Sequence, residues 1–461
     1  MSTHRGEFNS KLGFILATAG SAVGLGNIWG FPFQVGSGGG AIFVLIYLAF
    51  CFILCYPIMV TEVAIGRKTS RNPVGAFNAL GFRKWSFIGK LGIVSGFLIL
   101  SFYNVLAAWS LGYFIEMLQG NFEVGQKFTQ FTSNVPLIAV YSFIFMSATA
   151  FIVSGGIKSG IERTAKLLMP SLVIIILFLV GYAFTLPNAI QGIEFYLMPD
   201  FSKLNLQVVY SALGQAFFSL SLGMGALITY GSYFSRKEDI ISSVAYITLA
   251  DAGIAFAAGL MMFPFVFSQG LTPNGGSGLI FVTLPGVFAS LGPILGVFIG
   301  ALFFLLLSFA ALTSTVSLLE VPVAYVIDEY KLERKKAAWL VAGAIFLVSI
   351  PSILANGASE FFTSFVHYFG HDNPKSFMAM VVDVANSSLL PLGGCLISFF
   401  TAYIWKKENL NQELRIGNET FEGSFIEKYI GVAVCYLCPF ILGVLFILTV
   451  LDLYFGIKII T

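Results

Sequence analysis

The chain has 461 residues, 57% of them hydrophobic and only 10% charged, with mean hydropathy +0.87 and formal net charge +2. That composition excludes a soluble globular domain. A net charge so close to zero gives no basis for a nucleic-acid partner.

What remains is an all-α polytopic membrane protein forming a single domain over residues 1–461. A helix needs ~20 apolar residues to cross the hydrocarbon, and the pattern gives about eleven such spans. In chain order they are 12–33, 41–65, 91–118, 136–153, 167–186, 208–233, 241–267, 291–326, 337–354, 379–404 and 429–451. No charged stretch with a short apolar run and a small-residue cleavage site precedes the first span, so no removable leader is expected.

Span one is interrupted at Ser21-Ala22-Val23-Gly24-Leu25-Gly26-Asn27, and span six at Ser219-Leu220-Ser221-Leu222-Gly223-Met224-Gly225. Glycine costs a helix about 1 kcal/mol relative to alanine, and hydrocarbon offers no water to a freed backbone group. Such breaks survive only where protein, ions or a ligand supply partners. A pair of them in corresponding halves is the arrangement of secondary transporters. Spans one to five (12–186) then form one repeat and six to ten (208–404) an inverted second, with 429–451 an extra helix. Span one starts on one side of the membrane and span six on the other, which is the parity inversion requires.

Lys and Arg set the orientation. Arg5 and Lys11 precede span one; Arg67, Lys68, Arg71, Arg83, Lys84 and Lys90 follow span two; Lys331, Arg334, Lys335 and Lys336 follow span eight. The alternate loops 119–135 and 188–207 hold few cations. The chain is therefore expected in the plasma membrane (the inner membrane of a bacterium), with a cytoplasmic N-terminus. Residues 272–287 read as a structured outer loop and 406–425 as a polar cytoplasmic connector. Cys51, Cys55, Cys395, Cys435 and Cys438 fall in apolar runs and read as small hydrophobes. His367 and His371 read as solvated loop residues.

Charge inside a span costs roughly 2.5–3.5 kcal/mol, so each instance needs a reason. Glu62 ends span two near Arg67, Glu320 and Asp328 lie along span eight, and Asp383 begins span ten. Glu62 and Asp328 are close enough to an interface to expect structural ion pairs. Asp251 stands deep in span seven with no cation near it in sequence, and a bound metal cation is its most economical partner. Hard monovalent cations take oxygen ligands, which free carbonyls and Asn27, Ser219, Thr313 and Ser314 would supply. Half-helix N-termini favour an anion, so a small carboxylate beside a cation suits the breaks.

Several motifs occur in a fixed order. Lys11-Leu12-Gly13 leads to Gly20 through Trp29, then Phe31-Pro32; Gly160-Ile161-Glu162-Arg163 is followed by Pro170. Gly214 through Gly223 reads GQAFFSLSLG, and Leu312-Thr313-Ser314 precedes Leu318. From about Arg5 to Trp405 the chain resembles the neurotransmitter:sodium symporter family, bacterial amino-acid branch. The resemblance implies two sodium sites: one from Ala22, Asn27, Ser219, Asp251 and the substrate carboxylate, the other from carbonyls of Gly20, Val23 and Ala310 with the Thr313 and Ser314 hydroxyls. It implies that the substrate carboxylate meets the Leu25 and Gly26 amides and the Tyr103 hydroxyl. The substrate side chain would lie among Ile99, Phe218, Ser221, Met224 and Leu318. Arg5 and Asp328 resemble the family's inner gate pair, with Tyr233 beside them, and Gly160 with Pro170 would let the fifth helix unwind.

Three positions refine the resemblance. Amine-transporting relatives carry a carboxylate where Gly24 stands; glycine is expected to leave space and no charge, so the substrate should bring its own carboxylate. Gly30 replaces the usual arginine, leaving Asp383, which aligns with that arginine's outer-gate partner, with its salt bridge missing or made differently. Chloride-dependent relatives have asparagine at the Asp251 position. Here Tyr47, Gln215 and Ser219 remain from the chloride lining, Ala255 replaces its other ligand, and Asp251 would supply the negative charge. The expectation is a sodium-coupled, chloride-independent symporter of hydrophobic amino acids, a monomer or weak dimer in the lipid bilayer, and not an enzyme. The alternative is an amino-acid sensor that binds without transport, against which stands the short stretch after Leu451.

Overall fold

The computed structural model describes residues 6–271 and 279–459. Among these residues the secondary structure is helical apart from one isolated bridge between Val366 and Lys375. The first apolar segment is a bent pair, α1 (Lys11–Ala22) and α2 (Gly26–Ser37), whose axes differ by 51°. Then come α3 (Ala41–Thr69), α4 (Arg83–Leu118), α5 (Val135–Ser154) and α6 (Ile157–Ala183). The second interrupted segment comprises α7 (Leu206–Ser219) and α8 (Ala226–Gly231), each too short to cross alone. The rest are α9 (Ile240–Ser268), α10 (Pro293–Tyr330), α11 (Arg334–Leu354), α12 (Phe377–Arg415) and α13 (Phe425–Phe455). With each broken pair counted as one crossing, these match the eleven expected spans.

Helix starts follow side-chain capping. Ser10 Oγ accepts the Gly13 amide at 3.0 Å, Asn205 Oδ1 the Val208 amide at 2.9 Å, and Asp239 Oδ1 the Ile241 amide at 2.9 Å. The most apolar window of α4 is 72% buried and packs chiefly along α10, whereas those of α6 and α13 are 33% buried. So α4 and α10 belong to the interior, and α6 and α13 face lipid. The broken helices lie against this interior, α1 touching α9, α10 and α6.

One expectation needs correction and two gain detail. Glu62 does not pair with Arg67: it is fully buried and accepts the Gly223 amide at 2.8 Å. Arg67, also buried, pairs with Glu413 at 2.8 Å and donates to the Glu238 carbonyl at 2.7 Å. The polar connector 406–425 begins as helix, since α12 runs through Arg415 with Leu410, Glu413 and Leu414 buried. Of the supposed outer loop, residues 272–278 lie outside the described residues, and Leu284–Ser290 is a helix.

The Arg67–Glu413 pair ties the end of α3 to the end of α12 and to the segment before α9. Removing one partner strands a buried charge, which costs about 3–5 kcal/mol, whereas replacing both with apolar groups is often near neutral. Glu413→Leu should therefore lower the melting temperature of the solubilised protein far more than Arg67→Met with Glu413→Leu.

Candidate functional site

At the first break, Val23 is extended (φ −68°, ψ 110°) and the helix resumes at Gly26. Several of the freed backbone groups are taken up by side chains, most of them from elsewhere in the bundle. The Val23 carbonyl accepts from Ser314 Oγ at 3.2 Å and Thr313 Oγ1 at 3.5 Å. The Gly24 amide donates to Asn27 Oδ1 at 3.0 Å and the Leu25 amide to the Tyr103 hydroxyl at 2.8 Å. Gln215 Nε2 donates to the Gly26 carbonyl at 2.8 Å.

The second break uses the left-handed region: Ser221 has φ 55°, Gly223 78° and Gly225 76°. Gly223 is required twice over, since a Cβ there would also overlap the Leu390 carbonyl and stand 3.0 Å from the Gly394 amide nitrogen. Its amide is the one Glu62 receives, which explains a carboxylate in α3 at this depth. Ser221 Oγ donates to the Ser21 carbonyl at 3.1 Å, joining the two breaks directly.

Asp251, fully buried in α9, lies where the breaks meet. Oδ1 accepts from Asn27 Nδ2 at 2.7 Å, and Oδ2 from Ser219 Oγ at 2.9 Å and from the Tyr47 hydroxyl at 3.5 Å. These partners are neutral, so the negative charge is solvated by dipoles but not cancelled, and a buried charge in that state favours a cation. The carboxylate and the Ser219 hydroxyl present oxygens suited to a hard monovalent ion, whereas Asn27 turns Nδ2 to Asp251 and Ser219 and Oδ1 to the Gly24 amide, so its amide must reorient before it can ligate a cation. A second oxygen set lies across α1: Thr313 Oγ1 also donates to the Ala310 carbonyl at 3.0 Å, and a Cβ at Gly20 would stand 3.2 Å from Thr313 Cβ. The structure thus gathers Asn27, Ser219 and Asp251 in one place and Gly20, Val23, Ala310, Thr313 and Ser314 in another. Among the described residues no three His, Cys, Asp or Glu side chains cluster as a metal site.

Between the two sets is a cavity of about 20 Å³ lined by Ser21, Ala22, Gly24, Gly26, Ile99, Tyr103, Phe218, Ser219, Ser221, Met224, Ser314 and Leu318. Every residue expected around a substrate is present except Leu25, which is held just outside by Tyr103. The volume suffices for a water and not for a larger solute, so the pocket must widen to bind one. The expectation that Gly24 leaves space is wrong: a Cβ there would overlap Ser314 Oγ and lie 2.6 Å from the Tyr103 hydroxyl. Phe218 separates this cavity from one of about 250 Å³ bordered by Gln34, Gly214, Gln215, Asn386 and Ser387.

At the expected gates, Asp328 Oδ2 accepts the Asn72 amide and Nδ2, each at 3.0 Å. Tyr233 donates to Glu320 Oε1 at 2.6 Å, and the Arg334 guanidinium pairs with the other Glu320 oxygen. Arg5 lies outside the described residues. The Phe8 amide donates to the Tyr233 carbonyl at 3.1 Å and the Asn9 amide to Glu162 Oε2 at 2.7 Å, fastening the N-terminal segment over this end. Sequence reasoning named Glu320 and Arg334 separately but missed their pairing; a carboxylate deep in α10 followed by an arginine starting α11 was the available signal. Asp383 is not left alone, for Lys375 Nζ lies 2.6 Å from its Oδ2. His371 contacts the Asp452 carbonyl at 3.0 Å.

The profile of the sodium:neurotransmitter symporter family matches residues 5–134 and 134–390. The chain is 36% identical over 454 residues to an uncharacterized sodium-dependent transporter of Bacillus subtilis, YhdH, with 97% of each chain covered. It is 33% identical over 461 residues to an uncharacterized sodium-dependent transporter of Haemophilus influenzae, covering 96% of this chain and 98% of that one. The crystal structure of MhsT in complex with L-phenylalanine matches with a TM-score of 0.87 at 40% identity, covering 96% of this chain and 99% of the other. Together with broken apolar helices enclosing an oxygen-rich cavity, these matches identify the chain as a multi-pass membrane protein that belongs to the sodium:neurotransmitter symporter family of sodium-dependent transporters.

Proposed function

We propose that this transporter carries hydrophobic amino acids together with sodium by alternating access, without needing chloride. The observation that carries this reading is the meeting of Asp251, Asn27 and Ser219 beneath the first break, next to a pocket that is mostly apolar and has no carboxylate of its own at position 24. A substrate carboxylate would displace the Tyr103 hydroxyl from the Leu25 amide, meet the exposed end of α2 and complete a sodium site with Ala22, Asn27, Ser219 and Asp251. That shared contact would couple the two solutes. A second sodium at Gly20, Val23, Ala310, Thr313 and Ser314 would brace α1 against α10, and its inward loss would free α1. The apolar side of the pocket, Ile99, Phe218, Met224 and Leu318, suits an apolar side chain. Met224 is the adaptable member, since an unbranched thioether can swing aside for a larger one. The phenylalanine in the MhsT structure is consistent with this lining.

The same reading takes residues 12–186 and 208–404 as inverted repeats, each opened by a broken helix, with α13 added. It places the N-terminus in the cytoplasm of a cell whose plasma membrane holds the chain as a monomer or weak dimer. Charge at Asp251 would serve where relatives use chloride. In proteoliposomes, sodium-driven uptake should run equally in chloride and gluconate media; strict dependence on chloride would refute the role given to Asp251. Among the twenty amino acids, apolar ones should raise the melting temperature only when sodium is present. A transporter would also show counterflow of labelled substrate, and a sensor would not.

Gly24 and Gly30 give a paired test of the pocket. A Cβ at Gly24 collides with Ser314 and Tyr103, whereas one at Gly30 stands 3.5 Å from Gln215, an ordinary contact. Gly24→Ala should raise the sodium concentration for half-maximal stabilisation by about tenfold or more, equivalent to ~1.4 kcal/mol. Gly30→Ala should leave it unchanged.

A further inference from the structure

We propose that Lys375 is a positioning residue of the outer side: it captures the Asp383 carboxylate and thereby latches the start of α12, which carries the Asn386–Ser387 wall of the large cavity above Phe218, to the segment between α11 and α12. This rests on the membrane orientation argued above. Lys375 Nζ is 2.6 Å from Asp383 Oδ2, with the two side chains only 26% and 11% exposed. The lysine is held at both ends. Its backbone pairs with Val366 through bonds of 2.7 and 3.1 Å, and its ammonium lies 5.3 Å from the Tyr368 ring centroid. Tyr368 in turn packs edge-on against Tyr454 of α13, with ring centroids 5.0 Å apart. Tyr454 shares a 2.9 Å hydrogen bond with Ser388, whose hydroxyl also bonds the Asp383 carbonyl at 2.9 Å.

Asp383 therefore sits at the junction of three parts: the segment before α12, α12 itself and α13. One turn further along α12, Asn386 and Ser387 border the cavity of about 250 Å³. The ion pair is local, between residues eight positions apart, so it does not bridge the cavity mouth. Instead it fixes α12 to the segment, so that the cavity wall at Asn386 and Ser387 is held in place by the latch. Gly30 has no side chain to compete for the carboxylate. Sealing above the substrate is then left to Phe218, which the latch does not hold.

The test reads exposure of the cavity wall directly and needs no substrate. Ser387→Cys places a thiol on that wall, and its rate of reaction with a membrane-impermeant methanethiosulfonate reports opening. The parent's five cysteines are buried or half-buried and set the blank. In the Ser387→Cys background, Lys375→Met and Asp383→Asn should each speed labelling about three- to tenfold, the scale expected for a sheltered pair. Lys375→Arg, which keeps the charge, should label at the parental rate. The exchange Lys375→Asp with Asp383→Lys should return most of the way to it. Parental labelling rates in both single variants would overturn the proposal. So would fast labelling in the exchanged pair, because packing rather than charge would then hold the segment. Failure here leaves the amino-acid reading standing, and a lack of amino-acid stabilisation leaves the latch standing.

Discussion

A backbone polar group freed inside a bilayer must find a partner within the protein, and the architecture of this chain follows from how it does so twice. The two breaks do not satisfy themselves. Beyond local bonds, the carbonyls and amides they release draw side chains from distant helices: Ser314 and Thr313 from α10, Tyr103 from α4, Gln215 from α7 and Glu62 from α3. The breaks therefore draw four helices, α3, α4, α7 and α10, together. The polar groups that stabilise the unwound backbone are also the ones able to solvate an ion.

That double duty makes the site switchable. Val23's carbonyl is held by two hydroxyls and Leu25's amide by one phenol, neutral bonds that contribute about 1 kcal/mol each net. A cation or carboxylate can replace them with charge-assisted contacts, which are roughly twice as strong. The small central cavity fits this picture: Ser314 and Tyr103 crowd Gly24 so that any Cβ there would have to push their hydroxyls aside. Binding would exchange internal partners for external ones, leaving the helix breaks intact while changing what holds them.

Four of the carboxylates buried among the described residues show different solutions to one cost. Glu413 has arginine beside it, and Glu320 has arginine plus a tyrosine hydroxyl. Glu62 relies on a single backbone amide at the second break, with its other oxygen unpartnered among the described residues. Asp251 alone has only neutral side chains around both oxygens. The first two are fixed braces at one end of the bundle. The last two touch the unwound segments, so any movement of those segments alters the surroundings of a charge.

The sequence by itself determined the membrane class, the helical spans, the positions of both breaks and the deep isolation of Asp251. These are local properties: apolar length, glycine content and the absence of a neighbouring cation can be read along the chain. Asn27 and Ser219 were legible as oxygen-bearing side chains beside the breaks, whereas Thr313 and Ser314, in an unbroken span, were marked by the resemblance. The tertiary structure decided who pairs with whom. Arg67 lies five residues from Glu62 yet reaches Glu413, 346 positions away, because the side of α3 carrying Arg67 meets the end of α12. Lys375 supplies the cation that Gly30 lacks, through a chain reversal marked in sequence by no periodic pattern. Gly24 seemed spacious until Ser314 and Tyr103 arrived from α10 and α4. Spacing along a chain fixes which side chains share a helix face, but the closeness of two helices depends on every residue packed between them.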